Sequence, residues 1–481
     1  MAEPSDYGAS WYAARMVQAP VRDELALELD VDVCVIGGGL AGLTVAREVA
    51  KRNWSVALLE ARRVAWNASG RNAGFVLPGF GADPQALMEK VGPADAKTLW
   101  ELSKAGADYI WRTVRDEQMP GAELQGGGWL RVSKTGGERA MAAHAELLTR
   151  EFGAHAEFWP AERVHQELRS THYYSGIRFP DAFTLNPLNY ALGLAAAAEA
   201  AGARIFEQTP AIEIDPAGVR KRITTPSARL RAGQVVLAGN VHIGGLVPDL
   251  ANTLVPISTY VIVTPPLGEP LRDAIGFRGA VSDTELADNH YRVVDGDRLM
   301  WTGRCTTWQG DPRRYASALA ADIKQIYPQL SNVEADYAWT GTFGTTVHRM
   351  PQIGELMPGV WILSGFGSQG LATTAMGGNI VARAILDGDQ SWRRFQPFDL
   401  VWAGGVLGRM ATQAAYWYGR SRERAEAFLV QRSHPLRLPA IEPAATVPPE
   451  SPEQTETAET AAPRKRRRRK AGQDQPNTAE A

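Results

Sequence analysis

One stretch, residues 31–60, constrains the fold of this chain more than any other. It begins with a short apolar run, VDVCVI, which lacks the spacing of an amphipathic helix and therefore predicts a buried strand. Three glycines follow at once with the spacing G-x-G-x-x-G: Gly37, Gly39 and Gly42. Residues 40–52 carry apolar side chains at helical spacing, and residues 55–59 predict a second strand that ends on Glu60. The stretch therefore predicts a βαβ unit.

A glycine turn between a strand and a helix is typical of a dinucleotide-binding site. Gly37 permits the tight turn, Gly39 lets the backbone approach a pyrophosphate, and Gly42 lets the helix pack against the strand. The helix N-terminus offers unpaired N–H groups and a positive partial charge to the phosphates. Glu60 stands where an acid accepts hydrogen bonds from ribose hydroxyls, and it argues against NADP, whose extra phosphate it would repel. At this point three interpretations remain: the turn binds FAD, it binds NAD, or it is a glycine turn that binds no ligand.

Length and cysteine content narrow the class of protein. The chain of 481 residues predicts two or three domains. Its two cysteines, Cys34 and Cys305, are too few for a disulfide framework or a cysteine metal site. The first residues do not form a secretory signal, and no run reaches the ~18 apolar residues of a membrane span. We therefore expect a soluble, cytoplasmic protein.

Charge is distributed unevenly along the chain. The net charge is −2, and the seven consecutive basic residues at 464–470 contribute +7, so the rest of the chain carries −9. An acidic folded part disfavours a nucleic-acid-binding core. The basic run lies in residues 435–481, a segment rich in Pro, Glu, Thr and Ala that predicts disorder. The run leaves two alternatives, a solvated tail or a tail that binds nucleic acid or another polyanion.

Two further segments have the composition of backbone that runs along a ligand. Residues 69–74 are small, polar and contain two glycines. Residues 365–370, GFGSQG, lie between an apolar strand at 360–364 and a helix of small residues at 371–386. A strand, a glycine turn and a helix thus occur a second time, and present backbone amides to a ligand again.

With these segments, the chain resembles the FAD-dependent oxidoreductases of the D-amino-acid oxidase and sarcosine oxidase superfamily. The matching segments include SWYAA, DVCVIGGGLAGL, LLEARRVAWNASGRNAG and WTGTFGTTVHRMPQIG, spread from residue 10 to about residue 420. The resemblance implies an α/β plus α+β architecture, with a Rossmann-like FAD domain and an inserted substrate domain built on a mostly antiparallel sheet. The implied division is an arm at 1–29, an FAD domain at 30–82, 153–248 and 340–392, a substrate domain at 83–152 and 249–339, a helical segment at 393–434 and a tail at 435–481.

The resemblance also implies which residues hold FAD. Those at the ADP half are Gly37, Gly39, Gly42, Glu60, Ala61 and Arg63, with Ala211 at the adenine. Those at the pyrophosphate and flavin ring are Ser69, Arg71, Asn72 and Ala73, and those at the pyrimidine edge are Gly365, Ser368, Gln369 and Gly370. Some relatives tether the flavin to a cysteine after the W-x-G element, where this chain has Thr342 and Phe343. The cofactor is therefore expected to be non-covalent FAD.

The substrate expected from the resemblance is a small amine, with an N-acylated diamine such as gamma-glutamylputrescine as one candidate. Relatives that oxidise amino acids clamp the substrate carboxylate with an arginine or a lysine, where this chain has Phe343 and Ala372. An unpaired carboxylate in a semi-apolar pocket costs several kcal/mol. Hydride transfer to flavin N5 would give an imine that hydrolyses, and the electrons would pass to oxygen, a quinone or another carrier.

Candidates for the substrate pocket are His348, Arg349, Tyr260 and Tyr291. His348 could accept a proton from an ammonium substrate, although a hydrogen-bonded loop histidine is the simpler interpretation. Arg349 could form a structural ion pair, and the two tyrosines could be ordinary sheet aromatics. The alternatives to amine oxidation are a D-amino-acid or glycine/sarcosine-type dehydrogenase, an NAD-dependent dehydrogenase and a non-enzymatic polyanion-binding protein.

Overall fold

Two large β-sheets, each of eight strands, organise the computed structural model, which describes residues 7–284, 289–330, 332–436 and 438. The strands of these residues are β1 Leu29–Ile36, β2 Val56–Leu59, β3 Phe75–Val76, β4 Trp129–Ser133, β5 Glu157–Pro160, β6 Ser175–Phe179, β7 Phe183–Thr184, β8 Arg204–Phe206, β9 Glu213–Asp215, β10 Lys221–Thr224, β11 Arg229–Leu237, β12 Val255–Val263, β13 Ala280–Asp283, β14 His290–Val294, β15 Arg298–Thr306, β16 Tyr337–Thr345, β17 Gln352–Met357 and β18 Val360–Ser364. The α-helices are α1 Leu40–Ala50, α2 Ala68–Arg71, α3 Pro84–Val91, α4 Pro93–Asp116, α5 Glu138–Phe152, α6 Ala161–Glu167, α7 Pro187–Ala200, α8 Pro248–Ala251, α9 Glu269–Ala274, α10 Pro312–Ile326, α11 Gly370–Asp387 and α12 Gly405–Ser433.

The first sheet has the strand order β17-β18-β11-β1-β2-β8, with β10 and β9 attached beside β11. The five strands from β18 to β8 run parallel, because each joins its neighbour through a crossover connection. β1, α1 and β2 form the βαβ unit expected from residues 31–60. The sequence prediction of a Rossmann-like sheet is therefore confirmed.

Helix α1 lies at the centre of the layer that covers this sheet. It packs against α11 and α7, and every one of its residues except Glu48 is buried. Helix α7 begins at an Asn-Pro pair, where the Asn186 side chain accepts a hydrogen bond from the N–H of Asn189 at 3.1 Å. Helix α11 packs against both α1 and α4. The helices that follow the two glycine turns are thus in direct contact.

The second sheet has the order β16-β12-β15-β14-β13-β4-β6-β5. It is antiparallel except for the parallel pair β13 and β4, which confirms the mostly antiparallel sheet expected from the sequence. β5 and β6 belong to this sheet because β6 pairs with β4 and β5 pairs with β6, although the sequence-based division placed residues 153–248 in the FAD domain. The sequence shows only local patterns in this region. The sheet to which a strand belongs is decided by its pairing with other strands.

The N-terminal arm is fixed to the second sheet by aromatic contacts. Trp11 packs edge-on against Tyr337, with ring centroids 5.4 Å apart, and Tyr12 packs in the same way against Trp339 at 5.6 Å. Both arm residues are buried. The arm therefore stabilises β16, the strand that carries all the partner residues just named.

Two sequence-based expectations concern other parts of the chain. The predicted disordered tail and its basic run lie outside the described residues, apart from 435, 436 and 438. Within the described residues, no helix combines the length and apolarity that crossing a bilayer requires.

Gly106 provides a test of the close contact between α4 and α11. A Cβ atom on this residue would lie 2.1 Å from the carbonyl oxygen of Ala372, so Gly106→Ala must push the two helices apart. We expect this variant to lose about 1–3 kcal/mol of unfolding free energy, measured by urea denaturation. The matched control is Gly245→Ala, since an added Cβ there meets no atom within 4 Å. Equal midpoints for the two variants would contradict the tight contact.

Candidate functional site

The first glycine turn, made of Gly37, Gly39 and Gly42, joins β1 to α1 without room for side chains. Gly37 has φ of +116°, and a Cβ there would lie 2.7 Å from the carbonyl group of Ala238. A Cβ on Gly42 would lie 2.1 Å from the carbonyl oxygen of Gly37. The N-cap residue of α1, Gly39, has no side chain to cap the helix. The turn therefore presents bare backbone at a positive helix end, as a pyrophosphate site requires.

Glu60 lies buried beneath this turn. Its Oε2 accepts a hydrogen bond from the N–H of Gly38 at 2.7 Å, and its Oε1 accepts one from the N–H of Arg62 at 2.8 Å. Burial raises the pKa of the Glu60 carboxyl above its usual range, and the two backbone N–H groups oppose that shift. A carboxylate offers about four acceptor sites, so roughly two remain for ribose hydroxyls.

The other residues expected at the ADP half surround Glu60. The guanidinium of Arg63 pairs through Nε with the buried Glu207 carboxylate at 2.6 Å, which also accepts a hydrogen bond from the N–H of Val64. Arg63 therefore fixes the segment after β2. Ala61 is exposed in that segment, and Ala211 is half-buried just before β9.

The 69–74 loop is tied to the first glycine turn and to the second sheet. Ser69 Oγ accepts a hydrogen bond from the N–H of Leu40 at 3.1 Å, and Asn72 Oδ1 accepts one from the N–H of Gly74 at 2.9 Å. The carbonyl oxygen of Arg71 accepts a hydrogen bond from Trp339 Nε1–H at 2.9 Å. Ala73, which lies between Asn72 and Gly74, is half-buried.

Arg71 is a half-buried cation in this loop. Its guanidinium donates to the carbonyl oxygens of Thr340 and Tyr7, both at 3.3 Å. Burial lowers the pKa of the Arg71 guanidinium, and the nearby Arg62 lowers it further. Its Nε is buried without a hydrogen-bond partner, and no carboxylate of the described residues forms an ion pair with it. A cation in such surroundings is suited to an anionic ligand.

The second glycine turn, residues 365–370, follows β18 and opens α11. Gly365 and Gly367 have φ of +68° and +66°, and α11 begins without a side-chain cap. Asn240, which follows β11, accepts a hydrogen bond from the N–H of Gly365 at 3.4 Å. Ser368 is exposed, and Gly370 is half-buried at the helix start. Gln369 Oε1 is buried without a hydrogen-bond partner, so it can accept from a ligand.

A series of close contacts connects the two glycine turns. A Cβ on Gly39 would meet Ser69 Oγ at 2.9 Å, a Cβ on Gly341 would meet Arg71 Cβ at 3.3 Å, and a Cβ on Gly344 would meet Asn240 Oδ1 at 2.3 Å. β1, β11 and β18 are adjacent parallel strands, so their carboxyl ends lie side by side at one end of the sheet. Open α/β folds bind ligands at this end. The bare turns and the two unpartnered atoms, Arg71 Nε and Gln369 Oε1, fit an FAD molecule.

One face of the second sheet lies towards these carboxyl ends. On that face Trp339, Gly341 and Phe343 alternate along β16, and Phe343 is half-buried. Farther along the sheet, the half-buried ring of His290 lies 5.9 Å from both Phe75 and Trp129, measured between centroids. Phe75 directly follows the 69–74 loop, so this aromatic group borders the expected flavin site.

Tyr260 and Tyr291 point to the opposite, outer face of the second sheet, beneath α10. Tyr260 stacks on Tyr315, and its hydroxyl bonds with Thr306 Oγ1 at 2.8 Å and accepts from a backbone N–H at 3.0 Å. Tyr291 stacks on Trp301, and its hydroxyl bonds to two other tyrosines at 3.0 and 2.7 Å. The structure therefore does not bring these two predicted residues to the glycine turns.

His348 lies in the turn between β16 and β17, where both ring nitrogens have protein partners. Nδ1 accepts a hydrogen bond from the N–H of Met350 at 3.1 Å, and Nε2 lies 3.2 Å from the carbonyl oxygen of Asp399, to which it donates. Burial lowers the pKa of the His348 imidazole. Arg349 is exposed, with φ of +59°. The contacts of His348 are those of a residue that fixes a turn.

Sequence reasoning did not single out His290, Phe75 or Trp129. His290 and Tyr291 are adjacent on β14, so their side chains must project to opposite faces. This alternation can be predicted from the sequence. The sequence does not show which face of the second sheet packs towards the first sheet. That choice depends on how the two sheets pack.

Comparison with known proteins places these features in a family. The family described as FAD dependent oxidoreductase (DAO) matches residues 32–384. A probable oxidoreductase OrdL of Haemophilus influenzae is 29% identical over 80% of this chain and 90% of its own length. A gamma-glutamylputrescine oxidoreductase of Escherichia coli is 29% identical over 82% and 92%. The crystal structure of glycine oxidase from Bacillus cereus has the same fold, with a TM-score of 0.62, 20% identity and coverage of 75% and 96%.

Glu60→Gln tests the assignment of the ADP half. A neutral amide offers one acceptor oxygen, so its NH2 group must face one of the two backbone N–H groups that Glu60 now satisfies. We expect the dissociation constant for FAD, measured by quenching of flavin fluorescence on binding to the apoprotein, to rise about tenfold, or ~1.4 kcal/mol. Glu213→Gln, at an exposed acid on β9, is the control and should leave it unchanged. An unchanged constant for Glu60→Gln would refute the assignment.

Proposed function

Because the chain belongs to the DAO family of FAD-dependent oxidoreductases, we propose that it oxidises a C–N bond of a small amine. The first candidate substrate is an N-acylated diamine such as gamma-glutamylputrescine, the compound in the name of the relative from Escherichia coli. The observation that carries the proposal is the series of contacts joining the two glycine turns, with an unpartnered Arg71 Nε and Gln369 Oε1 along it.

In this proposal the first sheet holds FAD and the second sheet supplies the substrate side. Glu60 receives the ribose hydroxyls, the first glycine turn receives the pyrophosphate, and Arg71 contributes positive charge near the flavin. Gln369 Oε1 accepts a hydrogen bond at the pyrimidine edge. Bound FAD supplies the hydride acceptor, at flavin N5, that side chains lack.

FAD is proposed to be held without a covalent bond. Cys34 is buried within β1, and Cys305 lies on β15 with its backbone N–H bonded to the hydroxyl of Tyr416. The residue after Gly341, where a tethering cysteine would stand, is Thr342. Thr342 is already bonded to Asn67 through its backbone N–H at 3.1 Å.

We favour an amine over an amino acid as the substrate because apolar residues occupy the positions where relatives carry an arginine or a lysine that binds the substrate carboxylate. Phe343 lies half-buried on the inner face of β16, and Ala372 is buried against α4. A carboxylate left without a cation in such a pocket carries a desolvation cost of several kcal/mol. In gamma-glutamylputrescine the carboxylate lies at the far end of the glutamyl group, separated from the reacting C–N bond by the uncharged amide and the diamine chain, so it need not enter the pocket beside Phe343 and Ala372.

The aromatic group formed by Phe75, Trp129 and His290 is proposed to receive the amine. Two aromatic rings provide an apolar surface, and an imidazole is the side chain that ordinarily exchanges protons near neutral pH. His290 would remove the proton from the ammonium form, since a neutral amine has the lone pair that drives loss of hydride from the adjacent carbon. The imine product then hydrolyses in water. The buried indole of Trp129 is held by a hydrogen bond from its Nε1–H to Ser282 Oγ at 2.7 Å.

A spectroscopic titration tests the proposed function. The purified protein should show flavin absorbance that bleaches anaerobically when gamma-glutamylputrescine or a related acyl diamine is added. It should bleach much less with glycine, sarcosine or D-alanine, because these compounds carry a carboxylate on the reacting carbon itself, where Phe343 and Ala372 offer it no positive charge. Denaturation should release the flavin into the filtrate. Bleaching by amino acids alone would refute the amine proposal, and a protein that takes up no FAD would refute flavin catalysis.

Two variants of adjacent residues test whether the substrate binds on the inner or the outer face of the second sheet. His290→Asn removes the proposed proton acceptor and is expected to lower kcat/KM by 10²-fold or more, with partial recovery as pH rises and more amine is already neutral. Tyr291→Phe removes a hydroxyl bonded to Tyr173 and Tyr327, so we expect a loss of about 1–2 kcal/mol in unfolding free energy with kcat/KM unchanged. The reverse result would place the substrate on the outer face.

A further inference from the structure

Helix α12 contacts the rest of the protein mainly through a polar face. The side chain of Gln413 accepts a hydrogen bond from the N–H of Thr307 at 2.9 Å, and the hydroxyl of Tyr416 accepts one from the N–H of Cys305 at 3.0 Å. Arg420 pairs with Asp322 on α10 at 3.1 Å. Gln413 is the buried residue of this 29-residue helix. A surface helix ordinarily does the reverse and covers an apolar stripe with its neighbours.

A second face of α12 leaves large apolar side chains in solvent. Exposed side chains on it are Val406, Leu407, Met410, Trp417, Tyr418, Phe428 and Leu429, and three more precede the helix, Leu400, Val401 and Trp402. Tyr418 is 70% exposed and Trp402 is 66% exposed. The helical members recur at spacings close to whole turns of a helix and so share one side of α12. We call these ten residues the apolar stripe.

Positive charge accompanies the apolar stripe. Helix α12 contains five arginines and two glutamates, which gives it a net charge of +3. Arg409 near its beginning and Arg432 near its end are exposed and form no ion pair with a carboxylate of the described residues. The sequence continues beyond the helix to the seven basic residues at 464–470.

We propose that the apolar stripe docks on the surface of an anionic lipid bilayer. A helix with Trp, Leu and Phe on one side and arginines around them lies in the plane of a membrane interface, with its apolar side in the acyl boundary. Tyr and Trp prefer that interface because their rings are apolar and their polar atoms stay wet. The basic run at 464–470 supplies a second, electrostatic attraction to the same lipids, as stable peripheral binding requires.

The charges favour a bilayer over a second copy of this chain. Two stripes facing each other would bring two arginine-rich helices together, each with Arg409 and Arg432 exposed and not paired with a carboxylate of the described residues, and like charges at an interface are unfavourable. A contiguous exposed apolar surface bordered by polar residues marks an interaction site, and an anionic surface is the partner that these arginines match.

Vesicle flotation of the full-length holoprotein tests this docking. We expect the protein to float with vesicles of phosphatidylcholine and phosphatidylglycerol, and not with vesicles of phosphatidylcholine alone. Val406→Glu combined with Trp417→Glu should weaken this binding at least about tenfold, since both charges enter the acyl boundary. The matched control is Val219→Glu, at a valine that is 87% exposed in the turn between β9 and β10. It should float like the unchanged protein.

Flavin absorbance and the size-exclusion volume are recorded for every variant, so a misfolded protein is recognised. A third variant replaces residues 464–470 with Gly and Ser and should show weaker, less salt-sensitive binding. The proposal is overturned if no vesicle binds the protein or if the double variant floats unchanged. It is also overturned if the double variant converts a dimer into a monomer, because a second copy then covers the stripe.

Discussion

The remaining structure depends on how closely the backbone of α1 packs against neighbouring backbone, which glycines make possible. On one side Gly42 meets the carbonyl of Gly37, and on the other a Cβ on Gly378 of α11 would lie 2.6 Å from Thr44 Cβ. Protein interiors are packed to crystal-like density, so a side chain at any of these positions would displace α1 as a whole. The glycines therefore set how closely α1 packs against its preceding turn and against α11.

The arm and the second sheet then align the rest of the site. Tyr12 packs on Trp339, and the indole of Trp339 in turn holds the carbonyl of Arg71. β16 thus belongs to the second sheet by its pairing, and its contacts reach the 69–74 loop of the expected cofactor site. The proposed cofactor, held between the two sheets, would need such a shared element, because a loop alone would not fix the ring against the substrate.

The sequence was sufficient for the fold and for the strand, turn and helix at the expected cofactor end, because their signals are local. The strand, glycine turn, helix and Glu60 lie within thirty residues, and each follows from periodicity and turn chemistry. The substrate side is not local. Whether His290 or Tyr291 faces the cofactor depends on how two sheets pack, and the two ring nitrogens of His348 are occupied by residues that folding brings near. β5 and β6 belong to the second sheet for the same reason, since β6 pairs with β4, from which two helices separate it along the chain.

The strand order of the first sheet has a consequence for how the chain is made. β1 and β11 can pair once the first 237 residues exist, and β10 then covers residues 229–232 of β11, but β18, which pairs with Val235 to Leu237, begins only at Val360. Between those points the growing chain leaves the end of β11 unpaired on one side while the remaining strands of the second sheet are made. Pairings between distant segments form slowly and leave edges exposed to other chains. Synthesis of β18 therefore completes the cover of β11, and a chain that stops before Val360 would leave the end of this strand, beside the first glycine turn, open to pairing with other chains.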